Sequence, residues 1–108
     1  MAKRKVKAAV EFLGRCLREG GVTPSKIILF GSQAKGKATK ESDIDVVIIS
    51  EKFRNKDILE RVAMTKEAEI RTLKKFMIPL DIITLTPDES ERSLIASYAR
   101  DAEVVSAK

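Results

Sequence analysis

The chain contains no histidine. That absence removes His-based catalytic triads, histidine general bases and most zinc sites at once. There is a single cysteine, Cys16, so no internal disulfide can form, and a reducing, cytoplasmic setting is expected. Aromatic residues make up only 5% of the chain: Phe12, Phe30, Phe53, Phe76 and Tyr98. That is too few for a base-stacking platform, so direct nucleic-acid binding is not expected. No apolar run has membrane-spanning length, and no apolar stretch comes after the basic opening Met-Ala-Lys-Arg-Lys-Val-Lys; neither a membrane span nor a signal peptide is expected.

What is present suits one globular domain spanning residues 1–108. Hydrophobic residues make up 44% of the chain, enough for a core without covalent staples. The net charge is +5. A basic balance permits binding to phosphates, but the cations are scattered along helices and mixed with Glu, as on a solvated surface.

Periodicity orders the elements. Val6, Val10, Leu13 and Leu17 share one helical face, and Gly20-Gly21 closes that helix. Cys16 lies beside this face and reads as a buried structural thiol. Residues 26–30 form a short apolar strand broken by Gly31-Ser32. Ser32 to about Lys37 can form a short helix, with a polar loop after it. Residues 43–49 read as a strand apolar on both faces, hence central. Asn55 is the expected cap of a helix in which Ile58, Val62, Ile70, Leu73 and Met77 form the core-facing stripe, widened by Leu59 and Ala63. Residues 78–85 form a third strand. Thr86, Pro87 and Glu89 mark a helix start with a capping box, and Leu94, Ile95 and Tyr98 fall on that helix. Residues 102–105 can add an edge strand. Together these predict an α/β domain, a small mixed sheet of three to four strands covered by helices.

The chemistry concentrates in Leu29–Ser50. Asp43 and Asp45 lie on one strand two residues apart, so they point to the same side, with Cα atoms roughly 6.5–7 Å apart. Two carboxylates this close repel each other unless a cation lies between them. Hard oxygen donors suit Mg²⁺ or Mn²⁺. Asp81 opens another apolar run, Asp-Ile-Ile-Thr-Leu. If the two strands are neighbours, Asp81 can join the pair around two metal ions; alone, it reads equally well as a strand-end carboxylate held by backbone N–H groups. Gly31-Ser32 lets the backbone turn into a helix start whose free N–H groups and Ser32 hydroxyl suit a phosphate; taken alone, the dipeptide is a plain turn with Ser32 as a cap. A Walker A pattern is absent.

These residues carry a resemblance. The stretch Gly-Ser-Gln-Ala-Lys-Gly, with Ser-Asp-Ile-Asp after it, resembles the signature of the DNA polymerase β-like nucleotidyltransferase superfamily, and most of all its minimal nucleotidyltransferases. Gly31, Ser32, Ala34, Gly36, Ser42, Asp43 and Asp45 match, as does Asp81 as the third carboxylate. Gln33 departs from the Arg often found there. Lys35 or Lys37 can supply the missing charge or stand as solvated loop lysines.

The resemblance implies a nucleotidyltransferase fold and a transfer of a nucleoside monophosphate, AMP from ATP, to a hydroxyl. It implies that Asp43, Asp45 and Asp81 are catalytic and bind two Mg²⁺ ions, with Mn²⁺ as a substitute, and that Gly31, Ser32, Ser42 and Lys35 contact the nucleotide. The segment beyond Asp81 is expected to be too short for an acceptor domain. Minimal nucleotidyltransferases are paired with helical proteins of the HEPN class, in many cases as the antitoxin of an RNase toxin whose tyrosine receives AMP. A HEPN-type partner and a hetero-oligomer are therefore expected. Two other readings stand beside this one: a non-catalytic antitoxin that neutralises its partner by complex formation, and a small-molecule nucleotidyltransferase completed by a partner chain.

Overall fold

The structure is a computed structural model, and it describes residues 3–30, 44–92 and 103–107. The first helix, α1, runs Lys3–Glu19. Its apolar face is fully used: Val6, Val10, Leu13 and Leu17 are all buried, each worth about 1.5–3 kcal/mol of burial. Gly21 ends it at φ +91, a left-handed conformation, while Val22 N–H donates back to Leu17 O at 2.8 Å. Cys16 is buried beside this face, and that burial pushes its thiol pKa up.

Four strands form one mixed sheet: β1 (Lys26–Phe30), β2 (Ile44–Ile49), β3 (Leu80–Leu85) and β4 (Glu103–Ala107). Their spatial order is β3-β2-β1-β4. β1 pairs antiparallel with both β2 and β4, and β2 pairs parallel with β3. The central place expected for β2 holds: Ile44, Val46, Val47, Ile48 and Ile49 are all buried. The tail adds the edge strand expected of it, displaced slightly towards the C-terminus.

Two helices cover one face of the sheet: α1 and α2, the latter running Ile58–Phe76. Between them and the sheet lie Ile27 and Leu29 of β1 with Ile44, Val46 and Ile48 of β2, joined by Phe53, Ala68 and Ile78. Phe12 of α1 meets Phe76 of α2 edge-on at 5.8 Å between ring centroids.

Two expectations for α2 need correction. Its cap is Asp57, not Asn55. Asp57 and Glu60 form a reciprocal capping box (Glu60 N–H to Asp57 Oδ1 at 2.8 Å, Asp57 N–H to Glu60 Oε1 at 2.9 Å), and Asn55 instead takes a left-handed turn at φ 64. The larger correction concerns which side faces inward. Ile58, Leu59, Val62, Ile70, Leu73 and Met77 are exposed, and the buried residues of the helix are Thr65, Ala68 and Thr72. Burying threonine is tolerated because each hydroxyl bonds within its own helix: Thr72 Oγ1 donates to Ala68 O at 2.8 Å and Thr65 Oγ1 to Arg61 O at 3.2 Å.

The short helix α3, Pro87–Arg92, begins as expected. Thr86 N–H donates to Glu89 Oε1 at 2.9 Å, and Glu89 N–H donates to Thr86 Oγ1 at 3.2 Å. Leu94, Ile95 and Tyr98 lie outside the described residues, as does the short helix expected from Ser32.

Arg61 ties α2, β3 and α3 together. Its guanidinium donates to Glu89 Oε1 at 2.8 Å, to Glu89 Oε2 at 3.1 Å and to Thr84 O at 3.2 Å. These contacts hold the Glu89 carboxyl down at about 2, from an ordinary 4.5. A carboxyl depressed on folding stabilises the fold above its unfolded value, and the contribution fades as pH falls through the folded one. Glu89→Gln is therefore expected to lower stability at neutral pH by roughly 1 kcal/mol, given solvent screening of a partly exposed pair. The gap from wild type should narrow as pH drops from about 4.5 to about 2. Thermal melts of both proteins across that range check this; a gap independent of pH would remove the ionic contribution.

Candidate active site

β2 and β3 are adjacent, parallel and in register, which places Asp45 directly opposite Asp81. The ladder is bracketed by Ile44 N–H to Pro79 O and Ser50 N–H to Leu85 O, both 2.9 Å, so the register is pinned at each end. Neighbouring strands lie about 4.8 Å apart, and opposed residues of a parallel pair project from the same face. The two carboxylates therefore stand side by side. Alternation explains the direction: Ile44 and Val46 are buried on the helix-covered face, so Asp45 between them must project from the other.

Phe30, the last residue of β1, is the register partner of Asp45 on its other side. A single row thus runs Phe30–Asp45–Asp81 across three strands. Asp45 is half-buried and Asp81 exposed, so the row opens to solvent at Asp81. β1 ends at Phe30 and β2 begins at Ile44, and both of these strand ends lie at the carboxylate end of the sheet. The sequence carried no sign that Phe30 would share the row; only the register shows it.

Asp43, Gly31, Ser32, Lys35 and Ser42 lie outside the described residues. Among the described residues no three acidic, cysteine or histidine side chains gather as a metal-binding group; the strand register brings two carboxylates, Asp45 and Asp81, together. Two adjacent carboxylates supply only hard oxygen donors and concentrate negative charge. That donor set fits Mg²⁺ or Mn²⁺ rather than a thiolate- or imidazole-seeking metal. The Arg61–Glu89 pair lies near Thr84 at the far end of β3 and takes no part in this site.

Comparison with known proteins gives the class. Residues 9–105 match the family model of the nucleotidyltransferase domain. The chain belongs to that family, as its Gly-Ser and Asp-x-Asp stretches suggested. A candidate protein adenylyltransferase of Methanocaldococcus jannaschii is 30% identical over 77 residues, 71% of this chain and 52% of that protein. The chain thus spans about half the length of this curated relative.

Solved structures agree on the fold. A candidate nucleotidyltransferase of Sulfolobus solfataricus superposes with a TM-score of 0.55 at 19% identity, over 96% of this chain and 87% of that one. A chain of a toxin–antitoxin complex crystallised with AMP-PNP gives a TM-score of 0.64 at 18% identity, over 94% and 73%. A chain of the MntA–HpeT toxin–antitoxin complex, in a variant carrying two Asp-to-Glu substitutions, gives 0.61 at 15% identity, over 100% and 75%. At these identities the likeness is one of fold.

Proposed function

We propose that this protein is a divalent-metal-dependent nucleotidyltransferase that moves AMP from ATP to a hydroxyl, namely a tyrosine of a helical HEPN-type toxin, and so acts as the cytoplasmic antitoxin of a pair. The observation that carries the reading is the in-register pairing of Asp45 with Asp81 at one end of the sheet, in a chain of the nucleotidyltransferase domain family. The adenylyltransferase name of the M. jannaschii relative and the toxin–antitoxin complexes among the fold neighbours support the choice of reaction and partner.

In this reading Asp43, Asp45 and Asp81 would hold two Mg²⁺ ions. Bound there, the ions would neutralise charge on the attacking and departing oxygens of an in-line displacement at phosphorus. The chain's own work is to position. Asp45 and Asp81 fix the metal end of the site on two hydrogen-bonded strands rather than on a loop, which limits their wander. Gly31 lets the backbone approach the triphosphate closely, while Ser32, Ser42 and Lys35 donate to its oxygens. The acceptor hydroxyl comes from the partner, approaching across the exposed Asp81 side.

Mass spectrometry after incubation with labelled ATP, Mg²⁺ and the co-purified partner tests the acceptor. An AMP adduct on a partner tyrosine is expected. An adduct only on small molecules would replace the protein acceptor with a small one, and no adduct at all would leave neutralisation by complex formation. Ser32→Ala is expected to slow transfer moderately, by up to about 10²–10³-fold, because the backbone donors remain. If the melting temperature falls while the rate stays at wild type, Ser32 is only a helix cap.

A further inference from the structure

The exposed apolar face of α2 is unaccounted for by the fold. Ile58, Val62, Leu73 and Met77 expose 69%, 48%, 40% and 78% of their surfaces. A solitary apolar residue on a surface is ordinary, but four on one side of a 19-residue helix, two towards each end, are not. Met77 sharpens the point. It ends the helix in the left-handed conformation, φ 57, with its N–H donating to Leu73 O at 2.7 Å. Glycine or asparagine holds that conformation at less cost. A large, flexible apolar side chain kept there and turned to solvent is suited to packing against something else.

The pattern of the stripe names the occupant. Ile58 and Met77, Val62 and Leu73, and Lys66 and Glu69 lie in three pairs, each placed symmetrically about the midpoint between Glu67 and Ala68. At 100° per residue, each pair also straddles the same direction on the helix surface. Such a stripe is its own complement when a second copy runs antiparallel across it. Ile58 then lies at the level of the other copy's Met77, Val62 at the level of its Leu73, and the cation of Lys66 at the level of its Glu69, twice over. Exposed apolar residues of this size and number supply the apolar centre of an interface to which one partner contributes about 800 Å², the flanking polar side chains supplying the rest.

We propose that α2 is a homodimer interface: two copies pack α2 against α2 antiparallel about a two-fold axis at the level of the Glu67–Ala68 midpoint, on the side of the helix that carries Lys66 and Glu69. The interface is isologous, so each contact occurs twice. Its charges set the register, and its apolar residues supply the affinity. Val46 and Ile48 separate α2 from the opposite sheet face that carries Asp45, so dimerisation leaves the carboxylate row open.

Sedimentation velocity of the isolated full chain across a concentration series tests this, with circular dichroism confirming helix content. The wild type is expected to dimerise. Leu73→Glu removes an apolar side chain from the proposed interface twice, and is expected to raise the dimer dissociation constant about 100-fold or more with unchanged helix content. Lys66→Glu alone and Glu69→Lys alone should each weaken the dimer, and the double variant Lys66→Glu/Glu69→Lys should restore it. Helix packing in any other register, or with a different protein, has no reason to show that rescue. A wild-type monomer at every concentration overturns the proposal. So does a dimer that survives Leu73→Glu, or one whose double charge variant is no tighter than the single variants.

Discussion

Asp81→Asn is expected to keep its nucleotide and lose its chemistry. On the proposed reading, Asp43 and Asp45, two residues apart in the sequence, would hold the nucleotide-bound metal ion between them. Asp81 comes from the neighbouring strand and extends the carboxylate row to the solvent side, where the proposed acceptor hydroxyl would arrive. A group placed there acts mainly as charge develops on the attacking oxygen. An interaction made chiefly in the transition state lowers the rate and leaves ground-state binding nearly intact. Transfer should slow by about 10²–10³-fold or more, with ATP affinity changed little. Asparagine is nearly isosteric and still accepts a hydrogen bond, and Asp81 is exposed, so the fold should tolerate it. Single-turnover transfer, ATP affinity and a thermal melt on one preparation separate the possibilities. A wild-type rate removes Asp81 from the reaction, and a collapsed melting temperature makes it a structural residue.

The second large effect belongs to Asp43→Asn combined with Asp45→Asn. Both changes remove charge from the part of the site proposed to bind the nucleotide-bound metal. Mg²⁺-dependent ATP binding should weaken on the order of 10²–10³-fold, the usual result of stripping the charged partners from a bound ion. Stability should move the other way in the absence of metal. Clustered carboxylates repel one another, so in EDTA the variant should melt no lower than wild type. With Mg²⁺ and ATP the order reverses, because only the wild type gains the stabilisation that binding confers. Calorimetric titration with and without EDTA, together with melts under the same conditions, reads both signs. Tight ATP binding by the wild type in excess EDTA would remove the metals from the account.

The sequence disclosed what local rules govern. The apolar run after Asp43 announced a central strand, and β2 is flanked on both sides. Thr86 and Glu89 announced a capping box, and both of its hydrogen bonds form. Asp57 and Glu60 spelled an equally clear box that Asn55 obscured, since both residue types favour caps and only the reciprocal Glu three positions on distinguishes them. The adjacency of Asp45 and Asp81 could be stated only as a condition, because pairing between distant strands is not encoded in either strand alone.

The orientation of α2 was not legible for a different reason. Periodicity reports that a helix has an apolar face, not what will cover it. Here the fully buried contacts of α2 with α1 and the sheet are the small side chains of Thr65, Ala68 and Thr72, the threonine hydroxyls turning back on their own helix, with Met64 and Phe76 partly buried beside them. The larger apolar stripe is left outward. A helix with two usable faces reads in sequence as a helix with one.

On the proposed function, the paired carboxylates on β2 and β3 run a metal-dependent transfer of AMP. Single-turnover transfer of labelled AMP, measured on wild type and Asp45→Asn with the partner present, in Mg²⁺ and again in EDTA, tests it most directly. Transfer is expected from the wild type in Mg²⁺ and not in EDTA, with the variant slower by about 10²–10³-fold or more. Equal rates in wild type and Asp45→Asn, or transfer that persists undiminished in EDTA, would contradict it.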